Sequence, residues 1–203
     1  VNSVNIIDRK RRPNVIYITP EIAGIPREYG EIAQNVKSGV AGLGIFSSNL
    51  VRGLRNQGMN LHIVSPNMPE KFKKESGKSI DDLTSEMFHI PHGNVHLVNS
   101  PVFTSKENPY EGSGEENILA FNYAIKDQQI IEKIRNNSEG PVIIHGNDNM
   151  PAPTIMRMAT INDLLIQRGE MPMPLIHTVH NVHTSKLNPE SLRGLGISPE
   201  KIY

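Results

Sequence analysis

The stretch Val40-Ala41-Gly42-Leu43-Gly44-Ile45-Phe46-Ser47-Ser48-Asn49-Leu50 constrains the fold more than any other, because a glycine-bearing turn runs there directly into an amphipathic helix. Before it lies the β-branched apolar run Asn14-Val15-Ile16-Tyr17-Ile18-Thr19, opened by Pro13; after it lies Leu61-His62-Ile63-Val64-Ser65, closed by Pro66. Both read as short strands bounded by breakers. Between them Leu43, Phe46, Leu50, Val51 and Leu54 recur at steps of three and four, and Gly58 stands where a left-handed helix stop is expected. Strand, turn, helix and strand make a βαβ unit, which is right-handed and puts its turn at the carboxyl end of the first strand. Gly39, Gly42 and Gly44 either let backbone N–H groups approach an anion at the helix start or simply let helix and strand pack closely. Their order, G-x-x-G-x-G, is the reverse of the dinucleotide fingerprint and predicts no nicotinamide site.

The rest of the chain repeats the alternation. Residues 115–135 carry Ile118, Phe121, Ile125, Ile130, Ile131 and Ile134 along one side and predict a single helix. Pro141-Val142-Ile143-Ile144-His145 is a nearly continuous apolar run, as in strands buried on both faces of a parallel sheet, and a helix is expected from about Ala152 to Arg168. Pro174-Leu175-Ile176-His177-Thr178-Val179 predicts another buried strand. Residues 67–84, with Lys71, Lys73, Lys74 and Lys78, read as a polar surface excursion, and residues 87–90 and 95–98 as a hairpin-like strand pair. Strands alternating with helices predict an α/β fold with a mainly parallel, doubly wound sheet.

Composition narrows the function classes. The 203 residues hold 21 basic and 21 acidic side chains, so no bulk charge draws the chain to nucleic acid or an anionic membrane. The absence of cysteine removes disulfides, thiol nucleophiles and thiolate metal sites, and suits a reducing, cytoplasmic setting. No apolar run has the length of a membrane span. Asp8-Arg9-Lys10-Arg11-Arg12 reads as part of a solvated basic lead-in over residues 1–13, ahead of a domain over 14–203, and the chain reads as a piece of a longer protein. His89, His92 and His96, and likewise His177, His180 and His183, invite a metal reading; strand alternation and the departure into a loop would scatter each set.

Three candidate features fall after strands: the glycine turn after residues 14–19, Asp148 after 141–145, and His180 after 174–179. Parallel strands would bring all three to one carboxyl edge. A histidine there can hydrogen-bond a sugar hydroxyl or donate to developing charge, and an aspartate can orient hydroxyls or hold the imidazole tautomer. The plainer alternatives are Asp148 as the N-cap of the next helix and His180 as a satisfied edge residue.

Several of these segments resemble glycogen and starch synthases. Val15-Ile16-Tyr17-Ile18-Thr19-Pro20-Glu21, with Lys37 and Ala41-Gly42-Leu43-Gly44, is similar to that family's first strand and its K-x-G-G-L-[GA]-D loop. Residues 95–103 with Asn108-Pro109-Tyr110, the pair Glu116-Asn117 before Phe121, His145-Gly146-Asn147-Asp148, and Thr178-Val179-His180-Asn181 follow in the family's order. The resemblance implies a Rossmann-like α/β/α domain, the N-terminal half of a two-domain GT-B glycosyltransferase. The family transfers glucose from a nucleotide-glucose, ADP- or UDP-linked, to an α-1,4-glucan with retention and without a metal or cofactor. By resemblance His180 contacts the donor sugar, Asp148 shapes its site, Lys37, Gly42 and Gly44 approach the donor phosphates, and Tyr110 and Asn181 line the cleft. A C-terminal domain with the nucleotide pocket lies outside this chain, so the fragment alone is expected to be inactive. Departures from the pattern are Ile45 for the loop Asp, Ala41 for a glycine, Lys37 two residues early, Ala120 for an Arg, and Asn149 and Met150 after Asp148. The alternatives are another retaining GT-B enzyme with a non-glucan acceptor, or a non-catalytic glucan-binding domain.

Overall fold

The computed structural model describes residues 12–25, 37–38, 42–77, 95–180 and 187–202. Five strands, β1 (Asn14–Ile18), β2 (Asn60–Pro66), β3 (Val95–Val98), β4 (Val142–Asn147) and β5 (Leu175–Thr178), form one sheet. Their order is β3-β2-β1-β4-β5 and every pairing is parallel. β1 is buried along its whole length, as its β-branched composition requires of a central parallel strand.

The helices are α1 (Gly42–Asn56), α2 (Pro69–Ser76), α3 (Gly114–Asp127), α4 (Ile130–Asn136), α5 (Ala152–Gln167) and α6 (Pro189–Gly194). Side-chain alternation assigns α1 and α5 to opposite faces. Tyr17 reaches Ser47 of α1, whereas Gly146, in register with the adjacent Ile18, lies under Ile155 of α5. The result is the expected three-layer α/β/α arrangement. A second, small cluster of Leu192, Leu195 and Ile197 packs with Leu119, Tyr123 and Met156 outside the sheet core.

Several elements differ from the sequence expectation. The helix expected over residues 115–135 is two, because Gln129 takes a left-handed conformation (φ 53°) between α3 and α4. The preceding Gln128 spends its amide on the backbone of Asn99, donating to its carbonyl (2.8 Å) and accepting from its N–H (3.3 Å), which ties the helix end to the chain after β3. Residues 67–77 are no mere excursion. Met68 and Phe72 are core residues, and α2 stops at left-handed Gly77 (φ 69°). β5 is the edge of the described sheet rather than a buried strand, with Ile176 exposed. In α1 the buried positions are Gly44, Ser47 and Val51, while Phe46 lies outward. Leu50, Val51 and Leu54 of the expected apolar stripe do pack in or against the core, and Phe46 is the member that departs from it, with the small Gly44 and Ser47 buried in its stead. Residues 87–90 lie outside the described residues, and residues 95–98 pair in parallel with β2.

Candidate active site

The sheet order reverses between β1 and β4, and a parallel sheet opens a crevice at the carboxyl ends of the strands on either side of such a switch. The chain leaving β1 carries Thr19 and Glu21, and β4 ends in Asn147 followed by Asp148; all four are buried. Asn147 donates from Nδ2 to Thr19 Oγ1 (3.3 Å) and Ser47 Oγ (3.1 Å), so the two central strands and α1 are joined by one polar cluster. Tyr17 donates to Ser47 Oγ at 3.0 Å, and burial pushes its phenol up to about 12.

Asp148 has φ 68°, a left-handed turn that aspartate tolerates better than most residues. It is not a helix cap: α5 starts at Ala152, and its buried first turn is served by Asn122, whose Oδ1 accepts from Thr154 N (2.8 Å). Instead the Asp148 backbone is clamped by β5, its N–H donating to Thr178 O (2.7 Å) and its carbonyl accepting from His177 Nε2 (2.7 Å). His180 Nε2 is bonded to Asn147 Oδ1 at 2.9 Å, and the ring meets Phe46 edge to face with centroids 4.4 Å apart. His145 bonds Thr178 Oγ1 (2.8 Å), and burial first, His177 second, lowers its pKa.

Tyr110 enters the same crevice from the loop before α3. Its hydroxyl is bonded to Glu21, and desolvation, then the charge of Glu21, then that of Asp148, hold the phenol far above its ordinary value. The loop is pinned from below. Buried Asn117 donates to Glu111 O (3.0 Å) and accepts from Lys106 Nζ, while buried Lys71 donates to Glu107 O (2.6 Å).

The two glycines at the helix start sit in different surroundings. A Cβ on exposed Gly42 would meet nothing within 4 Å, so packing does not require glycine there. Gly44 is buried, and its carbonyl accepts from Ala23 N (3.1 Å) and Ser48 Oγ (2.9 Å), locking α1 to the chain after β1. Lys37 is exposed beside Ser38, which exchanges two hydrogen bonds with Ile22, its N–H donating to Ile22 O and its Oγ accepting from Ile22 N, both 3.0 Å. Thus Tyr110, Asp148 and His180 gather at the switch point, with Gly42 and Gly44 in the first turn of α1 and Lys37 exposed next to the Ser38–Ile22 tie; Asn181 and His183 lie outside the described residues. Among the described residues no three His, Cys, Asp or Glu side chains group as a metal site. Sequence reasoning singled out neither Asn147 nor Ser47 nor Thr19 as a site residue, and it noted Glu21 only through resemblance. Their positions at the ends of the two central strands, and three residues beyond Gly44 on α1, were the available signal.

The sequence matches the starch synthase catalytic domain over residues 14–202. The chain belongs to the starch synthase catalytic domain family. No curated protein and no solved structure matches it at a significant level. As a member of this family it is a glycosyltransferase domain, whose substrates are a nucleotide-sugar and an acceptor. Two departures from the starch synthase pattern fall in the packing rather than the crevice: Met150 is buried, its carbonyl accepting from Asn122 Nδ2 (2.7 Å), and Ala120 packs against the core. Ile45 is different, 60 % exposed in the first turn of α1.

Proposed function

We propose that this chain is the N-terminal, acceptor-side domain of a retaining glycosyltransferase that moves glucose from a nucleotide-glucose, ADP- or UDP-linked, to the end of an α-1,4-glucan. The convergence of Tyr110, Asp148 and His180 at one switch point carries the reading. His180 donates to or accepts from a donor-sugar hydroxyl, and Asp148 orients hydroxyls beside it. Lys37 and the first amides of α1, at Gly42 and Gly44, face the leaving diphosphate, where N–H groups at a helix start favour negative charge. Tyr110, with its proton held by Glu21, presents an uncharged wall to the sugar. Asn181 follows His180 in the same wall. No metal or cofactor takes part, and the reaction belongs to the cytoplasm. The nucleotide pocket belongs to a second, C-terminal domain.

In the full-length protein, His180→Ala and Asp148→Asn should each lower kcat/KM for glucose transfer by about 10-fold or more, the loss of one or two hydrogen bonds made to a polar substrate. Turnover unaffected by either variant would overturn the assignment. The isolated chain should transfer no sugar, because stabilisation of the leaving diphosphate comes largely from the other domain; measurable turnover by residues 1–203 alone contradicts it. Exposed Ile45 favours a second reading, in which the family's chemistry is retained for a different donor or lost altogether. Binding of a panel of nucleotide-sugars to the full-length protein separates the two.

A further inference from the structure

The polar cluster behind His180 has one consistent arrangement of its hydrogens. Thr19 donates its only hydroxyl proton to Glu21 O (2.9 Å). The Thr19 and Ser47 hydroxyls lie 3.1 Å apart, so Ser47 must be the donor between them. Tyr17 donates to Ser47, and its burial keeps that proton in place. Both hydroxyl protons are therefore committed before Asn147 is considered. The Asn147 atom facing Ser47 and Thr19 can only be the amide nitrogen, which fills their remaining lone pairs and fixes the flip of the amide. Its oxygen then faces His180, and an oxygen can only accept. The ring is also held from the side by Phe46 at an interplanar angle of 69°.

We propose that Asn147 is a positioning residue that, through the chain Tyr17–Ser47–Thr19, locks His180 with its proton on Nε2 and leaves Nδ1 as the ring nitrogen that meets whatever enters the crevice. A neutral His180 so locked accepts a substrate hydroxyl proton at Nδ1, and only a fully protonated ring donates from there. This consequence for catalysis rests on the proposed glycosyl transfer; the lock itself does not.

Ring-15N-labelled histidine in the full-length protein tests the lock, with the His180 signals assigned by their loss in His180→Gln. The expected result is an Nε2–H ring with a proton protected from exchange with water. That protection should disappear in Asn147→Ala. It should also disappear in the double variant Thr19→Val with Ser47→Ala, which touches no atom of His180 but frees the Asn147 amide to flip. A wild-type ring protonated on Nδ1, or an Nε2 proton that exchanges as fast as that of free imidazole, overturns the proposal whether or not the variants fold. Protection unchanged in either variant also overturns it. Glucose transfer is measured in parallel: kcat/KM should fall by about 10-fold in the double variant, as for loss of one orienting hydrogen bond. A wild-type protein that shows the protected proton but transfers no glucose sinks the proposed function and leaves the lock standing.

Discussion

Ile45 is the residue at which resemblance and environment part company. The glycogen and starch synthase pattern has an aspartate there, and the chain has an exposed isoleucine in the first turn of α1. With its side chain exposed, Ile45 is no core residue, and Ile45→Asp would bury no charge. The substitution should therefore leave the melting temperature unchanged or slightly raised, since a carboxylate near a helix N-terminus is favoured by a few tenths of a kcal/mol. It should also tighten nucleotide-glucose binding by roughly 1 to 3 kcal/mol, through hydrogen bonds from sugar or ribose hydroxyls that isoleucine cannot accept. Thermal melting and calorimetric titration of the full-length variant check both. Unchanged melting with unchanged affinity would remove Ile45 as the reason for any altered donor use.

At the scale of elements, the crevice depends on how closely α5 approaches β4 and on how α5 begins. A Cβ on Gly146 would lie 2.7 Å from Ile155 Cγ1. Gly146→Ala should thus destabilise the fold by about 1 to 3 kcal/mol through overpacking, and adding Ile155→Ala, which removes the clashing Cγ1, should recover part of that loss, as read by urea denaturation. The start of α5 rests on Asn122, which bonds Ile118 O, Met150 O and both Thr154 N and Oγ1. Asn122→Leu would strand buried backbone groups of Met150 and Thr154. A loss of about 2 to 4 kcal/mol is expected, and a loss under 1 kcal/mol would show that water replaces the side chain. Both changes act on the segment that delivers Asn147 and Asp148, so they also test how rigidly the β4 end holds the site.

For the molecule as a whole, pH dependence should come from imidazoles that fold in the neutral form. His62 and His96 stack across β2 and β3 with Nδ1 and Nε2 of the two rings 3.2 Å apart, and burial lowers each to about 4 from the usual 6.5. His145 is lowered in the same direction. Because the unfolded chain takes up these protons first, their contribution is complete above the unfolded value and is lost as pH falls from about 6.5 toward 4. Between pH 7 and pH 5 the loss should be on the order of 2 kcal/mol or more for the His62–His96 pair. Denaturation midpoints at the two pH values measure it. His96→Gln should flatten the slope, and a variant with the wild-type slope would exclude the pair as its source.

The sequence alone determined the class of fold, because β-branched runs separated by helical periodicity have few ways to bury themselves other than a parallel sheet between helix layers. It also determined that Asp148, His180 and the start of α1 share an edge, since in a parallel sheet every strand delivers its carboxyl end to the same side. Tertiary structure decided the rest. No local pattern in residues 115–135 encodes the break at Gln129, which accompanies the reach of Gln128 to Asn99, far away in sequence. No periodicity could show that Ser47, rather than Phe46, faces the sheet, since Ser47 is held there by hydrogen bonds to Tyr17, Thr19 and Asn147. The partners of His180 were hidden for the same reason. Asn147, Thr19, Ser47 and Tyr17 come from two strands and a helix, and hydrogen-bond direction among them exists only once those three elements are packed together.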